Sequence, residues 1–224
     1  RAMKTRFLSP LIIVWLAAGL QGCVTASIDE MTYNVPELGI GTSSVVILGR
    51  RHSSHYDTER DFVACVRSHI QRADQTVNII EEERFLDHLY PWFEPRTAPM
   101  HPDAIAKLLA QDAVASKLKE LDTKYMIWID GSTERTDSVG SMTCGVGPSG
   151  AGCFGFGTWS DTSNYEAVIW DFSNQAEVGR INTSTQGQSY MPAIVIPIPI
   201  IAPVQGTACD GIGMQLLQFL SADY

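Results

Sequence analysis

Two short apolar runs with a helix-period segment between them constrain this chain more than any other feature. Ser44-Val45-Val46-Ile47-Leu48-Gly49 is β-branched, too short for a helix and ended by glycine, so it reads as a buried strand. Thr58-x-x-Asp61 has the spacing of a capping box, and Phe62, Cys65, Val66, His69 and Ile70 then recur at helical spacing. Val77-Asn78-Ile79-Ile80 is a second strand. A strand, a helix and a strand in that order imply a right-handed crossover and parallel pairing.

The rest of the chain changes character. Glu82–Trp92 reads as a short helix halted by Pro91 and Pro95. Pro102 fits the first turn of the next helix, whose face carries Ile105, Leu108, Leu109, Ala113, Leu118 and Leu121. Strands follow at Lys124–Asp130, Tyr165–Asp171 and Glu177–Thr185, with Ser173-Asn174-Gln175 as a turn, which implies antiparallel pairing. The segment Met191–Val204 is apolar but broken by Pro192, Pro197, Pro199 and Pro203, which argues against a central strand. It predicts a buried edge strand and crossover, ahead of a surface for another protein or a membrane. Cys209–Leu220 is a closing helix. The expectation is one α/β domain over residues 41–224, its mixed parallel and antiparallel sheet flanked by helices.

The amino-terminal stretch bears on address rather than fold. Arg1 and Ala2 read as an upstream extension before Met3. Lys4 and Arg6 then lead into the apolar run Leu8–Leu20, which is short and followed by polar chain, as in a secretory signal peptide over residues 1–22. The run closes on Leu20-Gln21-Gly22-Cys23, which resembles a bacterial lipobox. That resemblance implies diacylation of Cys23, with residues 23–40 as a lipidated tether. Losing residues 1–22 takes away Arg1, Lys4, Arg6 and no acid, so the net charge goes from −9 to −12. Such acidity argues against nucleic acid and against anionic head groups. Membrane attachment would then come from acyl chains.

Besides Cys23 there are four cysteines, an even number that suggests disulfides in an exported chain. The short Gly- and Pro-containing loop favours Cys144 with Cys153, leaving Cys65 with Cys209. No cysteine pair has C-x-x-C spacing, so a metal site is disfavoured and no cofactor is expected. Gly145-x-Gly147-x-x-Gly150 has the letters of a dinucleotide fingerprint, but a glycine-rich stretch follows where a helix is required, so it reads as a hairpin tip.

The polar loop Arg50–Asp57 follows the first strand, where α/β sheets often bind ligands. Within it His52, His55 and Asp57 have the chemistry of a partial metal site, and equally of a solvated loop. Arg50 and Arg51 are candidates for partner contact. Glu81-Glu82-Glu83 reads as a helix start rather than as catalytic acids. Tyr90-Pro91-Trp92-Phe93 reads as an aromatic plug, with partner contact through Trp92 as the alternative. Trp128, Trp159 and Trp170 read as core or sheet-face residues. No G-x-S-x-G or H-E-x-x-H motif is present, so the expectation is a protein that is not an enzyme.

The order of features resembles a diffuse group of bacterial envelope lipoproteins. That group includes the curli-secretion lipoprotein, lipoprotein activators of penicillin-binding proteins, and domains like the amino-terminal domain of TolB. The residues behind this are Leu20–Cys23, Val45–Leu48, Tyr165–Asp171, Gly187-Gln188-Ser189 and Ala208–Gly213. The resemblance implies a periplasm-facing protein anchored by lipid, and Val24 after the lipidated cysteine implies the outer membrane. Its expected work is to bind or assemble other envelope proteins, with an oligomer compatible with that role and with Arg50, Arg51, Trp92, Pro197 and Pro199 as contact candidates. The alternative is an envelope enzyme, or a protein binding a small ligand or metal through the Arg50–Asp57 loop.

Overall fold

A computed structural model describes residues 24–32, 40–50, 58–94, 97, 99, 102–148 and 150–221. The elements in chain order are β1 (Val24–Thr32), β2 (Ser44–Gly49), α1 (Arg60–Ala73), β3 (Asn78–Ile80), α2 (Glu82–His88), α3 (Pro102–Leu109) and α4 (Asp112–Glu120). They are followed by β4 (Thr123–Gly147), β5 (Gly150–Asp171), β6 (Ala176–Pro197) and α5 (Val204–Leu220). The six strands form one sheet in the order β1-β6-β5-β4-β2-β3. Strand β2 pairs in parallel with β3, Val45 opposite Ile79, and with β4, Ile47 opposite Ile127. Strands β4, β5 and β6 are neighbours joined by tight turns, which requires antiparallel pairing. The fold is α/β with a mixed sheet.

The chain divides into two compact units. The larger comprises Ala26–Glu134, Thr162–Thr185 and Val204–Tyr224. Its organisation follows from the period of two along a strand buried on both faces. Val45 and Ile47 enter one core with Phe62, Val66 and Ile70 of α1 and Ile212 and Leu216 of α5. Val46 and Leu48 point the other way, into a second core with Phe85 of α2, Ile105 of α3 and Val114 and Leu118 of α4. Each fully buried aliphatic or Phe side chain contributes about 1.5–3 kcal/mol of transfer free energy. A disulfide between Cys65 and Cys209 ties α1 to α5. Gly213 faces His69 so closely that a Cβ there would lie 2.7 Å from the imidazole ring.

The smaller unit comprises, of the described residues, 24–25, Arg135–Asp161 and Gln186–Pro203. Its described part is built from the later half of β4, the first half of β5 and the last part of β6. A disulfide joins Cys144 to Cys153 across the β4–β5 hairpin.

Several expectations need correction. Residues 24–32 are not tether but strand β1, neighbour of β6 in the sheet; residues 33–39 lie outside the described set. The capping box does not form, because the buried Thr58 hydroxyl donates to the Ile129 carbonyl at 3.1 Å, and α1 starts after Glu59 without a side-chain cap. The long helix from Pro102 is two helices, broken where Gln111 is extended (φ −82°, ψ 123°). The last helix begins at Val204 rather than Cys209. The three late strands are far longer than the sequence predicts. The proline-rich segment is not buried: β6 runs through to Pro197 and most of the following residues are exposed.

Candidate functional site

The smaller unit is made of sequence that hides its strands. Glycines and small polar residues dominate Ser138–Gly157, and two of the glycines are conformationally required. Gly140 has φ +142°, and a Cβ on it would lie 2.3 Å from the Phe156 carbonyl oxygen. Gly155 has φ +154°, with the Ser141 carbonyl oxygen at the same 2.3 Å. Only glycine allows the two backbones to approach this closely. Side chains stitch the base of the hairpin. The Thr136 hydroxyl donates to the Ser160 carbonyl at 3.2 Å, and Arg135 pairs with Asp161 at 3.2 Å while its guanidinium lies 5.0 Å from the Trp159 ring centre.

The proline-rich segment turns back on its own strand. Tyr190 and Ile200 exchange backbone hydrogen bonds at 2.9 and 2.7 Å, and the Ile198 N–H donates to the Pro192 carbonyl at 3.0 Å. The buried Ser189 hydroxyl accepts the Ala202 N–H at 3.0 Å. Val195 adopts φ +82°, a conformation costly for a β-branched residue. Ala193 is buried, whereas Ile194, Val195 and Ile196 are exposed, Ile194 by 78%.

What this arrangement displays is apolar. Of the eleven large apolar side chains exposed among the described residues, nine lie in the smaller unit. The hairpin contributes Val139, Val146, Phe154 and Phe156, with Val146 90% and Phe154 76% exposed. The proline-rich segment adds Ile198 and Ile201 to the three residues above. No charged residue occurs between Asp137 and Asp161, or between Arg180 and Asp210. Isolated exposed apolar residues are ordinary, but a concentration of them on charge-free chain is the mark of an interaction surface.

The sequence singled out few of these residues. Pro197 is half-buried and Pro199 exposed within the surface, but the hairpin apolar residues were missed. The available signal was the run without charge. Arg50 lies elsewhere, at the end of β2, where it donates to Asp130 at 3.1 Å with its guanidinium 5.9 Å from the Trp128 ring centre. Arg51, His52, His55 and Asp57 fall outside the described residues, as does Cys23. Trp92 is half-buried and packs on the second core of the larger unit, in line with a plug. Glu82 and Glu83 occupy the first turn of α2.

The larger unit has one conspicuous polar cluster. The Tyr165 hydroxyl donates to Glu59 at 2.9 Å and meets the Thr133 hydroxyl at 2.9 Å, which in turn meets Ser163 at 2.7 Å. The other Glu59 oxygen accepts the Thr133 N–H at 2.9 Å. Burial pushes the Tyr165 phenol up to about 12, with Glu59 adding to the rise, so the group stays protonated. Its ring stacks on Phe62 with centroids 3.5 Å apart. The members of this cluster satisfy one another's hydrogen-bonding groups.

Beside it is an open groove of about 390 Å³ lined by residues including Asp130, Glu166 and Asn182. Asp130 is held by Arg50, and Glu166 by Arg180, which also takes Glu177 at 2.9 Å. The two carboxylates hold the Arg180 guanidinium well above the usual arginine range. Among the described residues no three His, Cys, Asp or Glu side chains converge as metal ligands.

No family model matches the chain, and no curated protein matches it. Among solved structures, the PelC dodecamer from Paraburkholderia phytofirmans is similar at a TM-score of 0.42 and 12% identity. The match covers 89% of this chain and 100% of that one. A hypothetical protein, CT253 from Chlamydia trachomatis, is similar at a TM-score of 0.38 and 7% identity, covering 81% and 99%. Likeness at this level carries no argument about role.

Proposed function

We propose that this chain is a lipid-anchored protein of the bacterial envelope that acts by binding, as a non-enzymatic assembly factor for other envelope proteins. The observation that carries the proposal is the charge-free apolar surface of the smaller unit. Leaving such a surface in water is unfavourable by about 25 cal/mol for each Å² of apolar area, so covering it drives association. Two disulfides favour an oxidising compartment. The address is read from Lys4 to Cys23, with the acyl chains on Cys23 as the attachment and the outer membrane, facing the periplasm, as the location.

Two experiments test this. Membrane fractionation of Cys23→Ser should release the protein to the soluble periplasmic fraction; retention in the membrane refutes the anchor. Photo-crosslinkers at Phe154 and Ile196 in intact cells should give discrete protein adducts. Adducts formed equally well from exposed polar positions of the larger unit refute the assignment of the surface.

A further inference from the structure

Asp130 of β4, Asn164 and Glu166 of β5 and Asn182 of β6 line the open groove of about 390 Å³ on the larger unit. Their sequence neighbours Ile129, Tyr165, Ala167 and Ile181 all enter the first core. Strand alternation therefore turns the four polar side chains to the opposite face of the sheet. On that face Trp128 and Val168, one step back along β4 and one step on along β5, pack against the second core. The groove thus begins where the apolar packing ends, and its volume falls within the roughly 300–1,000 Å³ of small-molecule sites. Its polar groups are held before any ligand arrives. Asp130 accepts from Arg50 at 3.1 Å, and Glu166 accepts from Arg180, which Glu177 fixes in turn at 2.9 Å. The Ser184 hydroxyl donates to the Asn164 side-chain oxygen at 2.8 Å, which leaves the Asn164 NH₂ with no protein partner among the described residues. The Asn182 amide has none among them either.

We propose that this groove binds a neutral polyhydroxylated ligand, a single sugar ring of a glycoside or glycan. The chemistry of the lining selects the class. A cation meets carboxylates whose charge Arg50 and Arg180 already offset, and an anion is repelled by those same carboxylates. An apolar ligand strips water from amides and carboxylates and returns no hydrogen bond, a loss that outweighs the area it covers. A sugar hydroxyl both donates and accepts. Neighbouring hydroxyls of one ring can give protons to Asp130 and Glu166 while accepting from the NH₂ groups of Asn164 and Asn182. Because the arginines and Ser184 fix the acceptors and one amide in advance, little side-chain freedom is lost on binding. This site is separate from the apolar surface of the smaller unit, so its failure leaves that reading untouched and the reverse also holds.

The test is titration of the full chain, labelled with nitrogen-15 and held in a detergent without a sugar headgroup, followed by amide chemical shifts. The probes are the methyl α-glycosides of glucose, galactose and mannose, with calcium chloride, sodium phosphate and a capped neutral tripeptide, N-acetyl-trialanine amide, as competitors of other classes. At least one glycoside should give saturable shifts centred on Asp130, Asn164, Glu166 and Asn182. Asn182→Ala should raise its dissociation constant by about three- to tenfold, the worth of one hydrogen bond, and Asn164→Ala/Asn182→Ala should abolish saturation over the same range. Unchanged shifts elsewhere in the spectrum show that both variants are folded. The proposal is overturned if no glycoside saturates, or if the shifts centre on other residues. It is equally overturned if the double substitution leaves binding intact, or if calcium, phosphate or the tripeptide binds the groove more tightly than every glycoside.

Discussion

The two disulfides close loops of very different length, and removing them one at a time should cost very different amounts of stability. Cys65 and Cys209 are 144 residues apart in sequence, and Cys144 and Cys153 are 9 apart. In the chain-entropy description the constraint on the unfolded state grows as the logarithm of loop length, giving about 5 kcal/mol for the long loop and about 2.5 kcal/mol for the short one. The first figure is comparable with the whole stability of many domains. Cys209 is also fully buried between α1 and α5, so its loss removes packing that the exposed Cys144 does not provide. Cys65→Ala/Cys209→Ala and Cys144→Ala/Cys153→Ala should be compared by urea unfolding followed by far-ultraviolet circular dichroism. The first pair should lower the midpoint by about twice as much as the second at similar m-values. A smaller loss for the 65–209 pair than for the 144–153 pair would refute the assignment of the long bridge as the staple of the larger unit.

Other consequences are as direct. Gly155→Ala places a Cβ against the Ser141 carbonyl and should cost about 1–3 kcal/mol, whereas Gly145→Ala, with no atom within 4 Å of the added carbon, should be near neutral; thermal melts of the two separate close approach from generic loss of glycine. Phe62→Ala should cost about 3–5 kcal/mol, because the ring is fully buried and stacked on Tyr165, and a denaturation loss under 1 kcal/mol contradicts that packing. The raised Tyr165 phenol makes a pH prediction. The unfolded chain gives up this proton near 10 and the folded chain near 12, so the stabilisation is fully present below 10 and is lost as pH rises from 10 to 12. Tyr165→Phe should flatten the alkaline arm of the stability profile in that window, and an unchanged arm argues against a buried phenol. Arg50→Ala, which breaks a partly exposed ion pair with Asp130, should change the unfolding free energy measured in urea by no more than about 1 kcal/mol.

The β-α-β opening was legible because Ser44–Gly49 is a short β-branched apolar run and Phe62–Ile70 carries a helical period, both of which tertiary packing then uses directly. The cysteine count and spacing likewise anticipated oxidised pairs. The smaller unit was not legible, for a physical reason. Strand signals rest on β-branched and aromatic residues, and Gly140, Gly145, Gly152 and Gly155 erase them; they let two backbones approach instead of packing side chains. Pro192 and Pro197 misled in a similar way. Proline forbids a ladder bond only where its nitrogen must donate, and here the chain folds back through Ile198 and Ile200, whose N–H groups are available. The capping box at Thr58 failed because a carbonyl of β4 is a closer partner than the helix start, a contact no local pattern encodes.

The central claim is that this protein works through the apolar surface of its smaller unit. The most direct measurement places a photo-crosslinking residue at Val146, the most exposed of the apolar side chains, in cells that produce the chain at native level. The account predicts a discrete protein adduct from Val146 and none from a probe at the exposed Glu83 of the larger unit. A chain that stays uncrosslinked at Val146 while remaining folded and membrane-bound would contradict it.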